Sequence, residues 1–452
     1  MKIMREFFIL FITLILLGIN SVFAYDLVLP KEKKTIANTN YVFFVGKAAS
    51  NETITINDER VYIASNGAFS HSIKLKEGEN RIIFKSNYNT EVYKIYKDKV
   101  IKNIEPEFIE YDPTLYRVKK DNTPLRSTPL DYGMNRLSHL FKDTLVIING
   151  EKGDFYRVFL TKNKEAWIAK NSVKEAPMIN DAPKFLTMNS KTFKNASIHT
   201  IEFNEKLPYV VEELENEIVF KVYNPFISDE TLYTVNIKKP KKYSYKTSSD
   251  KGEYVFKVSE LPYCDSQSLE GLTIVVDAGH GGAEKGAIGC LGDKEKDINL
   301  SIANELKKLL ELKGANVIMT RECDGEISLE DRVKLAKDND ANIFISIHLN
   351  SIGDIKMDVH KNRGTSVFYY NKNSKELAKI LEDSVSKALG TRKDGTKTAS
   401  FAVIRPTDYI GVLLEVAYMT NPMDSVLYTK EDFSCEAAKA IVDGICDFVL
   451  SE

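Results

Sequence analysis

Two histidines and two glutamates near the C-terminal end of this 452-residue chain have the types and spacing that a metal-assisted reaction would use. His280 follows an apolar run in IVVDAGHGG, His348 ends another in IFISIHLN, and Glu415 lies at the end of a third in GVLLEVAY. Glu295 stands in LGDKEKDINL, where the pattern turns helical. Two imidazoles and one carboxylate on a rigid scaffold make a zinc site of the catalytic type, with water in the fourth position. Zinc lowers the pKa of that water from about 15.7 to about 7. A second carboxylate outside the ligand set can take the water proton and deliver it to a leaving nitrogen. Glycines beside His280 let backbone, metal and substrate approach closely.

Each of these residues also has a plainer reading. A lone histidine is more often structural, and glycine after a strand often only turns the chain. His360 competes as a ligand, but it lies in the polar stretch KMDVHKNRG and reads as exposed. Cys290, between His280 and Glu295, reads as loop packing. His71, His139 and His199 are scattered through β-patterned regions and read as structural.

The elements that would position these groups begin at about residue 270. LTIVVDAG, ANVIMTR, ANIFISIHLN, TSVFYY and GVLLEVAY are apolar runs of the kind buried on both faces of a sheet. Helical patterns alternate with them, so the region from 270 to 452 is expected to be an α/β domain with a mostly parallel sheet. Asp297 is the expected N-cap of a helix running to Lys313, with Gly314 as its stop. Ser328 with Asp331 opens another, and residues 374–389 and 434–450 supply two more. Functional groups of such a sheet collect where its strands end.

Ahead of that domain the chain reads as β structure, preceded by a secretory signal peptide. Residues 1–24 hold Lys2 and Arg5, an apolar run, then Val22 and Ala24 spaced for cleavage. The run is shorter than the ~20 residues that span a bilayer, so cleavage and no lasting membrane insertion are expected. Short alternating strands in residues 25–104 resemble the immunoglobulin-like β-sandwiches attached to secreted bacterial enzymes. Residues 105–177 resemble a small bacterial Src-homology-three-like barrel, through Leu125-Arg126-Ser127, Gly153–Val158 and Ala166-Trp167-Ile168, with Trp167 read as core. Residues 178–262 form a further β domain similar to the amidase N-terminal type. The net charge of -2 argues against nucleic acid as a partner, and the basic stretch 238–246 reads as a solvated linker. Five cysteines, an odd number, are expected to be mostly small buried residues.

The C-terminal domain resembles the zinc-dependent N-acetylmuramoyl-L-alanine amidases of bacterial cell-wall turnover. VVDAGHGGAEKGAIG, EKDINLSIANELKKLLELKGANVIMTR, LEDRVKLA, ANIFISIHLNS, GTSVFYY, SFAVIRP and VLLEVAYMTNP occur in that family's order. The resemblance implies that His280, Glu295 and His348 hold Zn2+ and that Glu415 is the catalytic carboxylate. It implies a peptidoglycan substrate, cut at the amide between the lactyl group of N-acetylmuramic acid and L-alanine of the stem peptide. Arg405 and Asn350 match family positions and are candidates for substrate contact, whereas Arg332 reads as structural. Asp277 and Ser346 are candidates for orienting the ligands. The short segment between VFYY and SFAVIRP implies an uncovered site. The implied location is secreted, in the periplasm or cell wall, with the β modules meeting cell-wall polymers. The rival readings are a catalytically silent peptidoglycan-binding or activator protein and another envelope zinc peptidase.

Overall fold

The computed structural model describes residues 25–98, 105–179, 181–226, 231–262, 268–352 and 362–451. The expected signal peptide, Cys264 and His360 lie outside the described residues. Among those described, no helix is long and apolar enough to cross a membrane.

Three β units precede the C-terminal α/β domain. Residues 25–98 form a three-stranded and a five-stranded sheet around one core that includes Phe44, Phe69, Phe84 and Tyr93. Strands between Phe108 and Glu175 join one seven-stranded sheet, in which Trp167 is buried and meets Phe108 edge-on. Residues 185–260 build a four-stranded and a three-stranded sheet. The strand Glu253–Glu260 alternates buried and open positions, as the period of two dictates. The second and third units share a continuous core, with Leu140 and Val146 in the same cluster as Phe203 and Tyr254.

In the α/β domain, numbered separately, the strands are β1 (Thr273–Ala278), β2 (Asn316–Met319), β3 (Ile343–Asn350), β4 (Thr365–Tyr369), β5 (Lys393–Thr398) and β6 (Ile410–Tyr418). They lie in the order β2-β1-β3-β6-β4-β5. Pairs β1/β2, β1/β3 and β3/β6 are parallel, whereas β4 runs antiparallel to β6 and parallel to β5. Four strands thus run one way and the two at one edge run the other. The helices are α1 (Glu295–Leu312), α2 (Leu329–Asp338), α3 (Lys375–Leu389), α4 (Pro422–Tyr428) and α5 (Phe433–Leu450). Ile274, Val276, Ile345 and Leu414 bury one sheet face under α1, α3 and α5, while Val275, Phe344 and Leu413 bury the other with Val403 and Ile404.

Several boundaries differ from the sequence reading. Helix α1 starts at Glu295 with Lys294 in the cap position, so Asp297 lies within the first turn rather than capping it. There its charge complements the helix dipole instead. Residues 393–398, in the short segment between VFYY and SFAVIRP, form edge strand β5, because pairing with β4 rather than apolar content holds them. Of the described cysteines only Cys290 is buried; Cys323 is exposed, and Cys435 and Cys446 are half-buried free thiols.

The β units are seated on the α/β domain. Val45, Ala64 and Ala68 of the first unit pack around Cys290, with Phe43, Leu291 and Val426 beside them. Phe43 also meets Tyr418 and Ile352, and Asn66 Nδ2 donates to Ser425 Oγ at 3.1 Å. The second unit accepts from Tyr370 Oη at Gly133 O, 3.2 Å, and the third from Asn373 Nδ2 at Tyr243 O, 2.8 Å.

Candidate active site

Strand β1 ends in Asp277-Ala278, and the chain turns sharply through Gly279 and His280. His280 takes a left-handed backbone with φ of 61°, a conformation that a non-glycine residue rarely holds without outside support. Two arginines supply that support. Arg332, buried on α2, pairs with Asp277 and donates to Ala278 O and His280 O, both at 2.8 Å. Arg321, also buried, donates to Ala278 O and Gly279 O at 2.9 Å and to Lys296 O at 2.8 Å. The expectation that Arg332 is structural therefore has its geometry: it anchors the turn that carries His280. Asp277 also accepts from Thr320 Oγ1 at 2.8 Å and Ser346 Oγ at 2.6 Å. These groups organise the sheet below the site.

Glycine is required at two places here. A Cβ on Gly279 would collide with the His348 ring. At Gly286, with φ of 67°, it would lie 2.5 Å from Glu295 Oε2 and 2.7 Å from His280 Cδ2. Packing the loop this tightly against both residues brings the helix entrance to the strand end.

Three ligand-type atoms converge as a result. Glu295 Oε1 is 3.2 Å from His280 Nε2 and 2.9 Å from His348 Nδ1. One ligand atom from each of the three residues lies within 4.8 Å of the others. The two imidazoles meet edge to face with centroids 4.9 Å apart. Burial alone would raise the Glu295 carboxyl, but hydrogen bonds with His280 and then His348 outweigh it and hold the group well below the usual range. His348, penalised by burial, is raised nonetheless by its bond to Glu295 and by the charge of Glu415. Such mutual charge stabilisation around a small space, with two imidazoles and a carboxylate as donors, fits a tetrahedral divalent ion of the zinc class.

Outer contacts orient these donors. His280 Nδ1 lies 3.2 Å from Glu284 Oε1, which fixes the ring so that Nε2 faces the cluster. Glu295 Oε2 accepts from Ala287 N at 2.8 Å, and its Oε1 from Leu349 N at 3.2 Å. Glu284, Arg321 and Asn299, whose Nδ2 reaches Gly279 O at 3.2 Å, were not singled out from the sequence. Only the AEKG spacing after the glycines hints at Glu284, and nothing in the sequence alone marks the other two.

Glu415 sits beside this cluster. It is in register with His348 on one side and Ser366 on the other. Strand parity puts all three side chains on one sheet face. Its Oε2 is buried with no partner. Burial pushes the carboxyl up to about 7, His348 opposes this, and Glu295 adds to it. A carboxyl poised there suits proton exchange near neutrality.

The remaining sequence candidates lie elsewhere or do other things. Asn350 accepts from Ser351 N at 2.8 Å through its side chain. Arg405 donates to Ser400 Oγ and Ser400 O, both at 3.0 Å, near the junction with the second β unit. Cys290 is outside the cluster, in the contact with the first β unit. The segment between β4 and β6 places α3 against the sheet face opposite Glu415 and β5 at the sheet edge.

Residues 274–447 match the family model described as N-acetylmuramoyl-L-alanine amidase. The uncharacterized protein YqiI of Bacillus subtilis is 37% identical over 184 residues, 40% of this chain and 86% of that protein. The probable cell wall amidase LytH of Staphylococcus epidermidis is 35% identical over 189 residues, 41% of this chain and 61% of that protein. Among solved structures, the catalytic domain of CwlV, an N-acetylmuramoyl-L-alanine amidase from Bacillus (Paenibacillus) polymyxa, is 35% identical. It covers 39% of this chain and 97% of that one, with a TM-score of 0.37. The family match spans His280, Glu295, His348 and Glu415, and this chain belongs to the N-acetylmuramoyl-L-alanine amidase family.

Proposed function

We propose that the chain hydrolyses the amide between the lactyl group of N-acetylmuramic acid and L-alanine of the peptidoglycan stem. The observation that carries this reading is the convergence of His280, Glu295 and His348 beside Glu415, whose Oε2 is buried without a hydrogen-bond partner. The three would hold zinc, which when bound supplies an acidified water and a Lewis acid for the scissile carbonyl. Glu284 keeps the His280 ring turned toward the ion, and the Arg332 and Arg321 contacts hold the turn beneath it. Glu415 takes the proton from the attacking water and passes it to the alanine nitrogen as the bond breaks. Its low-dielectric surroundings keep it protonatable near neutral pH, so one carboxyl serves as base and then as acid.

LytH is named a probable cell wall amidase, and the N-terminal pattern of residues 1–24 reads as an export signal. We therefore place the protein outside the cytoplasmic membrane, acting on peptidoglycan in the wall or periplasm. The three β units are read as an immunoglobulin-like module (25–104), a Src-homology-three-like barrel (105–177) and an amidase N-terminal-type domain (178–262) that bring the catalytic domain (270–452) to cell-wall polymers.

Replacing Glu415 with Gln tests the division of roles. The variant is expected to keep one zinc per chain by elemental analysis while turnover falls by at least ~100-fold, the usual range for a lost general acid–base. Loss of the metal would make Glu415 a ligand and overturn the assignment.

A further inference from the structure

Three arginines from two units meet where the second β unit seats on the catalytic domain. Gly133 lies so close to Ser400 that a Cβ would collide with the serine side chain, and Tyr370 Oη donates to Gly133 O at 3.2 Å. Arg405 reaches this place through its bonds to Ser400. Arg136 arrives from the strand that follows Gly133, and Arg126 is anchored behind it on Tyr132 O and Asn135 Oδ1.

The charges at this junction do not balance. Among the described residues, the only carboxylate in an ion pair with any of the three is Asp131, which pairs with Arg126 at 2.5 Å and is itself 83% exposed. Arg136 Nη1 contacts the His139 imidazole at 3.0 Å, and its Nε is buried with no partner. Burial, then repulsion from Arg405 and Arg126, lowers the affinity of Arg136 for its proton. With Asp131 as the one carboxylate against three guanidinium groups, the partly open pair Arg136 and Arg405 is arranged for an anion from outside.

We propose that Arg136 and Arg405 form an anion subsite that holds a carboxylate of the stem peptide. This rests on the amidase reading and deepens it. In β4, Ser366 is in register with Glu415 and Phe368 follows on the same face, with Tyr370 just past the strand end packed against the same cluster as Phe368. From residue 366 to residue 370 the sheet spans roughly 13 Å at ~3.3 Å per residue. An extended peptide covers at most ~3.6 Å per residue, so one whose nitrogen leaves at Glu415 reaches Tyr370 with about its fourth residue. Phe401, 39% exposed, meets Phe368 edge-on at 5.3 Å and gives the path an apolar floor. The peptide carries free carboxylates at that distance, whereas the glycan on the other side of the scissile bond does not. The second β unit thereby contributes a specificity residue, Arg136, to substrate recognition.

Calorimetric titration of the full chain with a stem peptide bearing free carboxylates, and with the same peptide fully amidated, tests this. The acid is expected to bind at least tenfold tighter than the amide. Arg136→Met should erase that difference without weakening the amide, and Arg136→Lys should restore part of it. Equal affinities in the unaltered chain overturn the proposal whether or not either variant folds. Unchanged discrimination in a folded Arg136→Met chain overturns it too. Tighter binding of glycerol phosphate than of the acid peptide would also overturn it, in favour of a wall phosphopolymer. A chain that binds the acid selectively but cleaves no peptidoglycan sinks the amidase reading and leaves the subsite standing.

Discussion

His348 Nδ1 and Glu295 Oε1 lie 2.9 Å apart, joining the middle of the sheet to the first residue of α1 across 53 positions of sequence. The contact depends on a helix that begins at its ligand and on a loop made thin by glycine. Glu295→Gln keeps the shape but removes the charge that both imidazoles face. Zinc content is expected to drop below stoichiometry in dialysed protein, with the melting curve little changed. Full zinc occupancy in that variant would remove Glu295 from the ligand set.

Glu284 lies outside the ligand set yet orients one member of it. Glu284→Gln should weaken zinc binding by roughly 10–100-fold, the range for loss of a carboxylate that supports a metal-bound histidine. Competition with a chromophoric chelator measures this directly. Unaltered affinity would mean that the 72%-exposed Glu284 side chain does not hold the ring in solution.

Gly279→Ala places a methyl group into the His348 ring. Displacement of that ring is expected to abolish zinc binding and activity, at a stability cost on the order of 1–3 kcal/mol, as for other overpacked sites. A variant that melts as expected but binds zinc normally would show that the imidazole has another place to go.

The catalytic half of this account was legible because its signals are local. Apolar runs leading to His280, His348 and Glu415 announce strands buried on both faces, and sheet parity then aligns His348 with Glu415, while the turn after β1 places His280. Ser328 as the cap of α2 was readable for the same reason: its hydroxyl accepts from Asp331 N within a single turn. The Asn421-Pro422 pair, which caps α4 with two backbone bonds, was equally local but passed unnoticed. Edge strand β5 was not legible, since its Lys, Asp and Thr residues bury little and only pairing with β4 defines them. Arg321 and Arg136 depend on contacts between distant segments, which no short window contains.

His139 predicts an acid-sensitive junction. Burial, then the charges of Arg136, Arg405, Lys337 and Arg126, push its pKa down to about 3 from an ordinary 6.5. The folded state therefore keeps the ring neutral, while the unfolded chain takes up a proton below pH ~6.5. Stability is fully present above 6.5 and falls as pH drops from there toward 3, by up to ~1.4 kcal/mol per pH unit for this one group. Denaturant titrations at pH 7 and pH 5 should show a smaller difference in His139→Gln than in the unaltered chain. An equal difference would contradict the burial of a neutral ring.

Cys290 reports on the seating of the first β unit. Its thiol is pushed up to about 12 by burial among Val45, Ala64 and Ala68. In the full chain a maleimide should label exposed Cys323 and spare Cys290, as read by peptide mapping. Val45→Asp should open the contact and expose Cys290 to labelling. Equal protection in both chains would mean that the catalytic domain buries this thiol unaided.

The most direct test of the central claim is mass spectrometry of purified peptidoglycan digested by the full chain, alone, with a zinc chelator, and with zinc restored. The account predicts free stem peptides with an L-alanine N-terminus and glycan stripped of peptide, both lost on chelation and regained with zinc. Cleavage elsewhere in the stem, or cleavage indifferent to the chelator, would contradict it.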